Sequence, residues 1–204
     1  MSGDRAANDD VVSLDEAITL LDEIERLKAE LGKAEARLAE LDQLAHRDPL
    51  VDLSNRRSFL HSLDRLIARV DRYGVHAAML FVDVDGLKAI NDKFGHSAGD
   101  EALIQVSQLL VASVRKADLV ARLAGDEFGI LLEHSDELSA WQMALRVVET
   151  VDDCEFCIGE VCVPLSVAVG VGVIKPGDTP ATVLARADKE MYRLKALSTT
   201  GRGT

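Results

Sequence analysis

The chain has 204 residues, 48% of them hydrophobic, and a formal net charge of −12, which suits one domain with its own core plus an extension. Such an acidic balance excludes a nucleic-acid polymer as partner, because that surface needs a basic stripe to displace counterions from phosphates. No run approaches the eighteen apolar residues of a membrane span, and Met1-Ser2-Gly3-Asp4-Arg5 lacks the apolar core of a signal peptide, so no membrane contact and a cytoplasmic location are expected.

Residues 1–10 are small and polar and are expected to be disordered. Ser13-Leu14-Asp15-Glu16 fits a capping box, so a helix is expected from there to His46. Along it Leu20, Ile24, Leu27, Leu31, Ala34, Leu38, Leu41 and Ala45 recur at spacings of four and three, the seam of a left-handed coiled coil. In a parallel pair Glu23 would meet Lys28 and Arg37 would meet Asp42, both attractive, whereas Glu30 would meet Glu35. Residues 11–46 therefore read as a dimerisation helix, with the alternative of one helix folded back on its own domain.

Pro49 disfavours a helical residue before it, which sets the domain boundary at 46/47. An amphipathic helix follows over 56–72, with Phe59, Leu60, Leu63, Leu66, Ile67 and Val70 on one face. Ala77 to Val82 reads as a buried strand ending at Asp83, a short helix carries Lys88 and Asn91, and another helix spans about 100–115. Next come two apolar runs, Leu119 to Leu123 and Phe128 to Leu132, joined by Ala124-Gly125-Asp126-Glu127. This is a hairpin with two adjacent acids at its tip, which would be costly to desolvate without a cation. A turn at Ala124-Gly125 with positive φ at the glycine is expected.

A helix from Asp136 to about Val151 is expected to bury Leu138, Trp141, Leu145 and Val148, and a small hairpin to span Cys157 to Cys162. Leu165 to Val173 alternates large and small residues, a strand closely approached on one face. A last helix from Pro180 to about Leu197 buries Leu184, Ala187, Met191 and Leu194, and 198–204 reads as a flexible tail. Cys154, Cys157 and Cys162 lack a fourth ligand at zinc spacing, so they read as small packing residues rather than a metal or redox pair. An Asp83-x-Asp85-Gly86 calcium loop is set aside because the twelfth position is Phe94, not an acid. Hairpins without strict strand and helix alternation indicate an α+β fold, helices packed on a largely antiparallel sheet.

Ala124-Gly125-Asp126-Glu127-Phe128 resembles the signature of the GGDEF family, the diguanylate cyclases. Five further segments agree in order and spacing: Asp48-Pro49-Leu50 with Asn55-Arg56-Arg57, Asp83 to Lys88, Asn91 to His96 with Gly99-Asp100, Arg115 to Asp118, and Ala187 to Tyr192. The resemblance implies a five-stranded sheet like the palm of polymerases and nucleotide cyclases, and a catalytic domain over 47–197.

It implies also that Asp83, the carbonyl of Val84, Asp126 and Glu127 hold two magnesium or manganese ions over the phosphates of GTP. Asp126 would help deprotonate the attacking 3′-hydroxyl, with Glu127 and Lys88 also in the catalytic set. Asn91, His96, Asp100, Gly125 and Lys195 would bind substrate. Arg115 and Asp118 would bind the product, cyclic di-GMP, as an inhibitor, and two domains would have to face each other, so a homodimer is implied. Gly201-Arg202 falls about three residues later than the family pattern. A domain that binds cyclic di-GMP or GTP without turnover is the alternative.

Overall fold

The computed structural model describes residues 14–201, so Ser13, the expected disordered start and Arg202 lie outside the described residues. The chain divides into two units after Gln43. The first consists of most of α1 (Leu14–His46), where Leu20, Ile24, Leu27, Leu31 and Leu38 are all exposed and Arg26 is bound to Glu23 and Glu30 along one face. The last turn of α1 belongs to the second unit. There Asn55 donates to the carbonyl of Ala45 at 3.0 Å and Ser58 to that of His46 at 3.0 Å.

The second unit is built on a sheet of order β2-β3-β1-β6, every pair antiparallel. Its strands are β1 (Ala77–Val84), β2 (Leu119–Ala124), β3 (Glu127–Glu133) and β6 (Val167–Val173). Successive side chains of β1 point to opposite faces. Ala78, Leu80, Val82 and Val84 enter one buried cluster with α3 (Leu87–Phe94), α4 (His96–Ser113) and α5 (Glu137–Asp152). Ala77, Met79 and Phe81 enter the other with α2 (Arg56–Tyr73) and α6 (Pro180–Gly201). A strand covered on both faces has no polar side, which is why β1 reads as a continuous apolar run.

The α+β class and the antiparallel arrangement are as expected. The strands divide as four plus two rather than five, because β4 (Glu155–Ile158) and β5 (Val161–Pro164) form a separate two-stranded hairpin. On α5 the expected face is half right: Trp141 and Val148 pack partly buried against the core, but Leu138 and Leu145 are exposed, and Ala140, Met143, Ala144, Val147 and Val151 are buried. The small alanines let the helix lie close on the sheet, which outweighs burying the larger leucines. The cysteines also differ from expectation: Cys157 and Cys162 face each other across the hairpin, both exposed and joined in a disulfide, while Cys154 is a free thiol. On β6 a Cβ at Gly170 would stand 2.0 Å from the carbonyl oxygen of Ala187, so the small residues there admit α6. That helix continues to Gly201, four residues past its expected end. Among the described residues no helix is long and apolar enough to cross a membrane.

Candidate active site

Strand register sets Asp83 directly opposite Glu127. Opposed residues in an antiparallel pair carry their Cβ atoms about 5 Å apart on one face, so two carboxylates from distant parts of the chain share one patch. Asp126 immediately precedes, and its carbonyl accepts the N–H of Val84 at 3.0 Å, which fastens the hairpin tip to the end of β1.

The tip differs from the expected turn by one residue. Ala124 still pairs with Glu127, so the turn residues are Gly125 and Asp126, with φ +37° at Gly125. Ala124 therefore needs only strand geometry, and a bulge between Arg122 and Ala124 absorbs the shift. Arg122 holds this shape. Its Nε and Nη2 donate to the Gly125 carbonyl at 2.9 and 2.7 Å, and its Nη1 lies 3.2 Å from Asp48. The Asp48 carboxylate in turn accepts the N–H groups of Leu50 and Val51, so the strap before α2 and the acidic turn form one network.

Glu127 is held above the usual carboxylate range, first by burial, then by the negative charges of Asp126 and Asp83, with Arg56 opposing. The site thus has more negative charge than its own side chains neutralise. Lys195 on α6 supplies one cation, hydrogen-bonded to Asp83 and 2.9 Å from Asp85. Its ammonium is raised above the ordinary lysine value: burial works against the charge, and the two carboxylates outweigh it. Asp85 is fixed on its other side by the Ser166 carbonyl, which accepts its N–H at 2.9 Å.

Helix α3 leaves the strand end that carries these acids, with Lys88 exposed in its first turn. Asn91 lies one turn on, and its Oδ1 is buried with no donor among the described residues. Gly99 makes room for it: a Cβ there would stand 2.0 Å from that oxygen. An unmet buried acceptor costs about 1–3 kcal/mol, so a ligand N–H would be welcome. His96 and Asp100, in the first turns of α4, are exposed.

Arg115 and Asp118 lie elsewhere, before the start of β2, whose six residues span about 20 Å to the acidic tip. They close a tight turn, the Arg115 N–H donating to the Asp118 carboxylate at 3.0 Å and the Asp118 N–H to the Arg115 carbonyl at 3.0 Å. Asp118 lines a cavity of about 260 Å³ with Arg65, Arg69 and Lys116, whereas Arg115 does not. Arg69 is already bound to both oxygens of Glu133 at 2.8 Å. Of these residues, Arg122 and Arg65 escape the sequence reading, where an isolated charge at those positions reads as solvated surface, and Asp85 enters it only through the calcium loop set aside above.

Among the described residues no three carboxylates, imidazoles or thiols stand close enough to cage a metal unaided. The donors at the tip nevertheless suit a divalent ion: they are hard oxygens, Glu127 is under-neutralised, and an ammonium already rests on Asp83. Such a donor set fits a hard divalent cation.

The model of the family described as diguanylate cyclase, GGDEF domain, matches residues 45–200. Diguanylate cyclase TpbB of Pseudomonas aeruginosa is 35% identical over 187 residues, covering 86% of this chain and 40% of that protein. The response regulator PleD of Caulobacter vibrioides is 36% identical over 157 residues, covering 76% of this chain and 35% of that protein. This chain thus spans less than half the length of either relative. The solved coiled coil and GGDEF domain of DgcB from Caulobacter crescentus, in complex with c-di-GMP, superposes with a TM-score of 0.80 over 87% of this chain and 95% of that one; at 23% identity that likeness shows the fold. With the family match running from the end of α1 through α6 and the signature acids at the tip of the β2–β3 hairpin, the chain belongs to the GGDEF family.

Proposed function

We propose that the chain is a diguanylate cyclase that joins two GTP molecules into cyclic di-GMP and releases two pyrophosphates. The observation that carries this reading is the pairing of Asp83 with Glu127 in strand register, with Asp126 tied to Val84 beside them. Asp83, Asp126, Glu127 and the Val84 carbonyl would hold two divalent cations, magnesium or manganese, which when bound neutralise phosphate charge and lower the pKa of a hydroxyl.

Asn91 offers its unmet oxygen to a guanine N–H, with Asp100 a second acceptor and His96 beside it. Lys88 and Lys195 balance the triphosphate. The 3′-oxygen of one GTP bonds to the α-phosphorus of the other while the bond to the β-phosphate bridging oxygen breaks, so pyrophosphate leaves. The hydroxyl proton passes to the acid pair at the tip. Burial and the negative charges beside it raise the Glu127 carboxyl above its ordinary value, and Asp126 lies next to it.

Each domain holds one GTP, so two must face each other with twofold symmetry. The exposed leucine seam of α1 is the proposed homodimer contact. Product would be held as an inhibitor near Arg115 and Asp118, where Arg65 and Lys116 add positive charge suited to phosphate, Arg69 being engaged by Glu133. A second reading, a domain that binds nucleotide without turnover, is favoured by one observation, the occupation of Asp83 by Lys195. Incubating the protein with GTP and magnesium and separating the nucleotides by chromatography distinguishes them. Cyclic di-GMP should appear with wild type and be absent with Asp126→Ala; no product from wild type would leave only the binding reading.

A further inference from the structure

The β4–β5 hairpin takes no part in the chemistry described above, yet it faces the helix that carries Lys88 and Asn91 across a shared cavity. Val161, Val163 and Pro164 form one wall of a cavity of about 400 Å³, whose opposite wall is Ala89, Ile90 and Phe94 of α3, with Asp85 at its edge. The hairpin also connects to the acids through the backbone. Two residues past Pro164, Ser166 accepts the N–H of Asp85, and Asp85 shares Lys195 with Asp83. Leu165, between them, is buried.

The two strands have four residues each and, among the described residues, pair only with each other. A two-stranded hairpin of that length is marginal by itself in water. The bond between Cys157 and Cys162 is therefore a substantial part of what keeps it formed, together with Phe156, which is buried in the core. Both cysteines are exposed, so a thiolate can reach either sulfur.

We propose that Cys157 and Cys162 form a reversible thiol–disulfide site that controls the order of α3 and, resting on the cyclase reading, the affinity of the nucleotide site. In the reducing direction a thiolate of a dithiol attacks one sulfur, the Cys157–Cys162 bond breaks, and the released cysteine thiolate takes a proton. The second thiol of the dithiol then attacks the mixed disulfide, freeing the other cysteine. Two electrons and two protons pass from the dithiol to the hairpin, and the dithiol leaves as its disulfide. Re-oxidation by a more oxidising disulfide reverses the exchange. The oxidised hairpin braces the cavity wall facing α3, and the reduced hairpin frays and lets α3 loosen. Cys154, half-buried with Gln105 3.4 Å from its sulfur, serves as an internal control.

The test uses the full wild-type chain, oxidised or treated with dithiothreitol. Alkylation with iodoacetamide under denaturing conditions should add one label to the oxidised form and three to the reduced form by mass. Hydrogen exchange across residues 86–94 should quicken at least threefold on reduction. The dissociation constant of a fluorescent GTP analogue with magnesium should rise at least threefold. A Cys157→Ser, Cys162→Ser double variant should show the reduced values under both conditions, and Cys154→Ser should respond as wild type does. Three labels on the oxidised chain, or exchange across 86–94 that is indifferent to reduction, would overturn the proposal. Quickened exchange with no analogue bound in either state would retain the redox site and remove the nucleotide reading instead.

Discussion

Asn91 offers the clearest case of one atom with a task not yet fulfilled. Its buried oxygen lacks a donor among the described residues, and it fits only because Gly99 has no side chain. A Cβ 2.0 Å away cannot coexist with the present rotamer, so Gly99→Ala should rotate Asn91 out of place. Affinity for a GTP analogue should fall by about tenfold, roughly 1.4 kcal/mol, with the melting temperature changed by only a few degrees; unchanged affinity would remove Asn91 from the site. Lys195 makes a complementary case. It stands on Asp83 and Asp85 as a resident cation, so a divalent ion must compete with it. Lys195→Met should tighten Mn²⁺ binding to the nucleotide-free protein by about tenfold in a calorimetric titration while slowing turnover, since removing a charge a few ångströms away is worth about a kcal/mol or more. Acids in the strand end and hairpin tip were legible in the sequence because type and spacing alone expose them. The partners that hold them were not: Arg122 reaches Asp48 across 74 positions and Lys195 reaches Asp83 across 112, contacts that only the folded chain defines.

At the scale of elements, periodicity located every helix and strand of the second unit but missed the centre of the buried face of α5. Leucine is a strong apolar signal at 138 and 145, yet the contact is made by alanines whose value lies in close approach, which hydrophobicity does not report. The cysteines failed for a related reason. Cys157 and Cys162 are a cross-strand pair only once the register of β4 and β5 is known. Helix α6 matters most to the site because its far end delivers Lys195, and its near end is pinned by Asp178. That carboxylate accepts from both terminal nitrogens of Arg186 at 2.8 and 2.7 Å, from the Lys175 N–H at 2.8 Å and from Thr182 at 3.0 Å. Arg186 above all holds its pKa down from 3.8 to about 2. A depressed acid contributes stability that is fully present above the unfolded pKa and lost as pH falls through the folded one. Asp178→Asn should therefore be less stable than wild type by about 2 kcal/mol at pH 7. The gap should close between pH 4 and pH 2, and denaturant titrations at several pH values would measure it. A constant gap down to pH 2 would mean that packing, not ionisation, sets the contribution of Asp178.

For the whole molecule the issue, on the cyclase reading, is how two GTP-bearing domains meet. The unit from Leu44 onward has its own core on both faces of the sheet, so it should fold without the 43 residues before it. Those residues include a helix with five large apolar side chains exposed at coiled-coil spacing, a surface that in a dimer would be covered by its copy. Two domains joined through such a seam see each other at an effective concentration near the millimolar range, whereas free domains at 1 µM must meet by diffusion. A chain beginning at Leu44 should thus keep a cooperative unfolding transition and bind the GTP analogue as the full chain does, yet run as a monomer in light scattering. At about 1 µM its specific activity should be lower by on the order of 10²-fold, and it should climb in proportion to protein concentration, because the productive species is a collision complex. The full chain should instead hold a constant specific activity over the same range. Equal activity of the two at 1 µM would mean that the catalytic units recognise each other directly, and that the leucine seam of α1 serves some other contact.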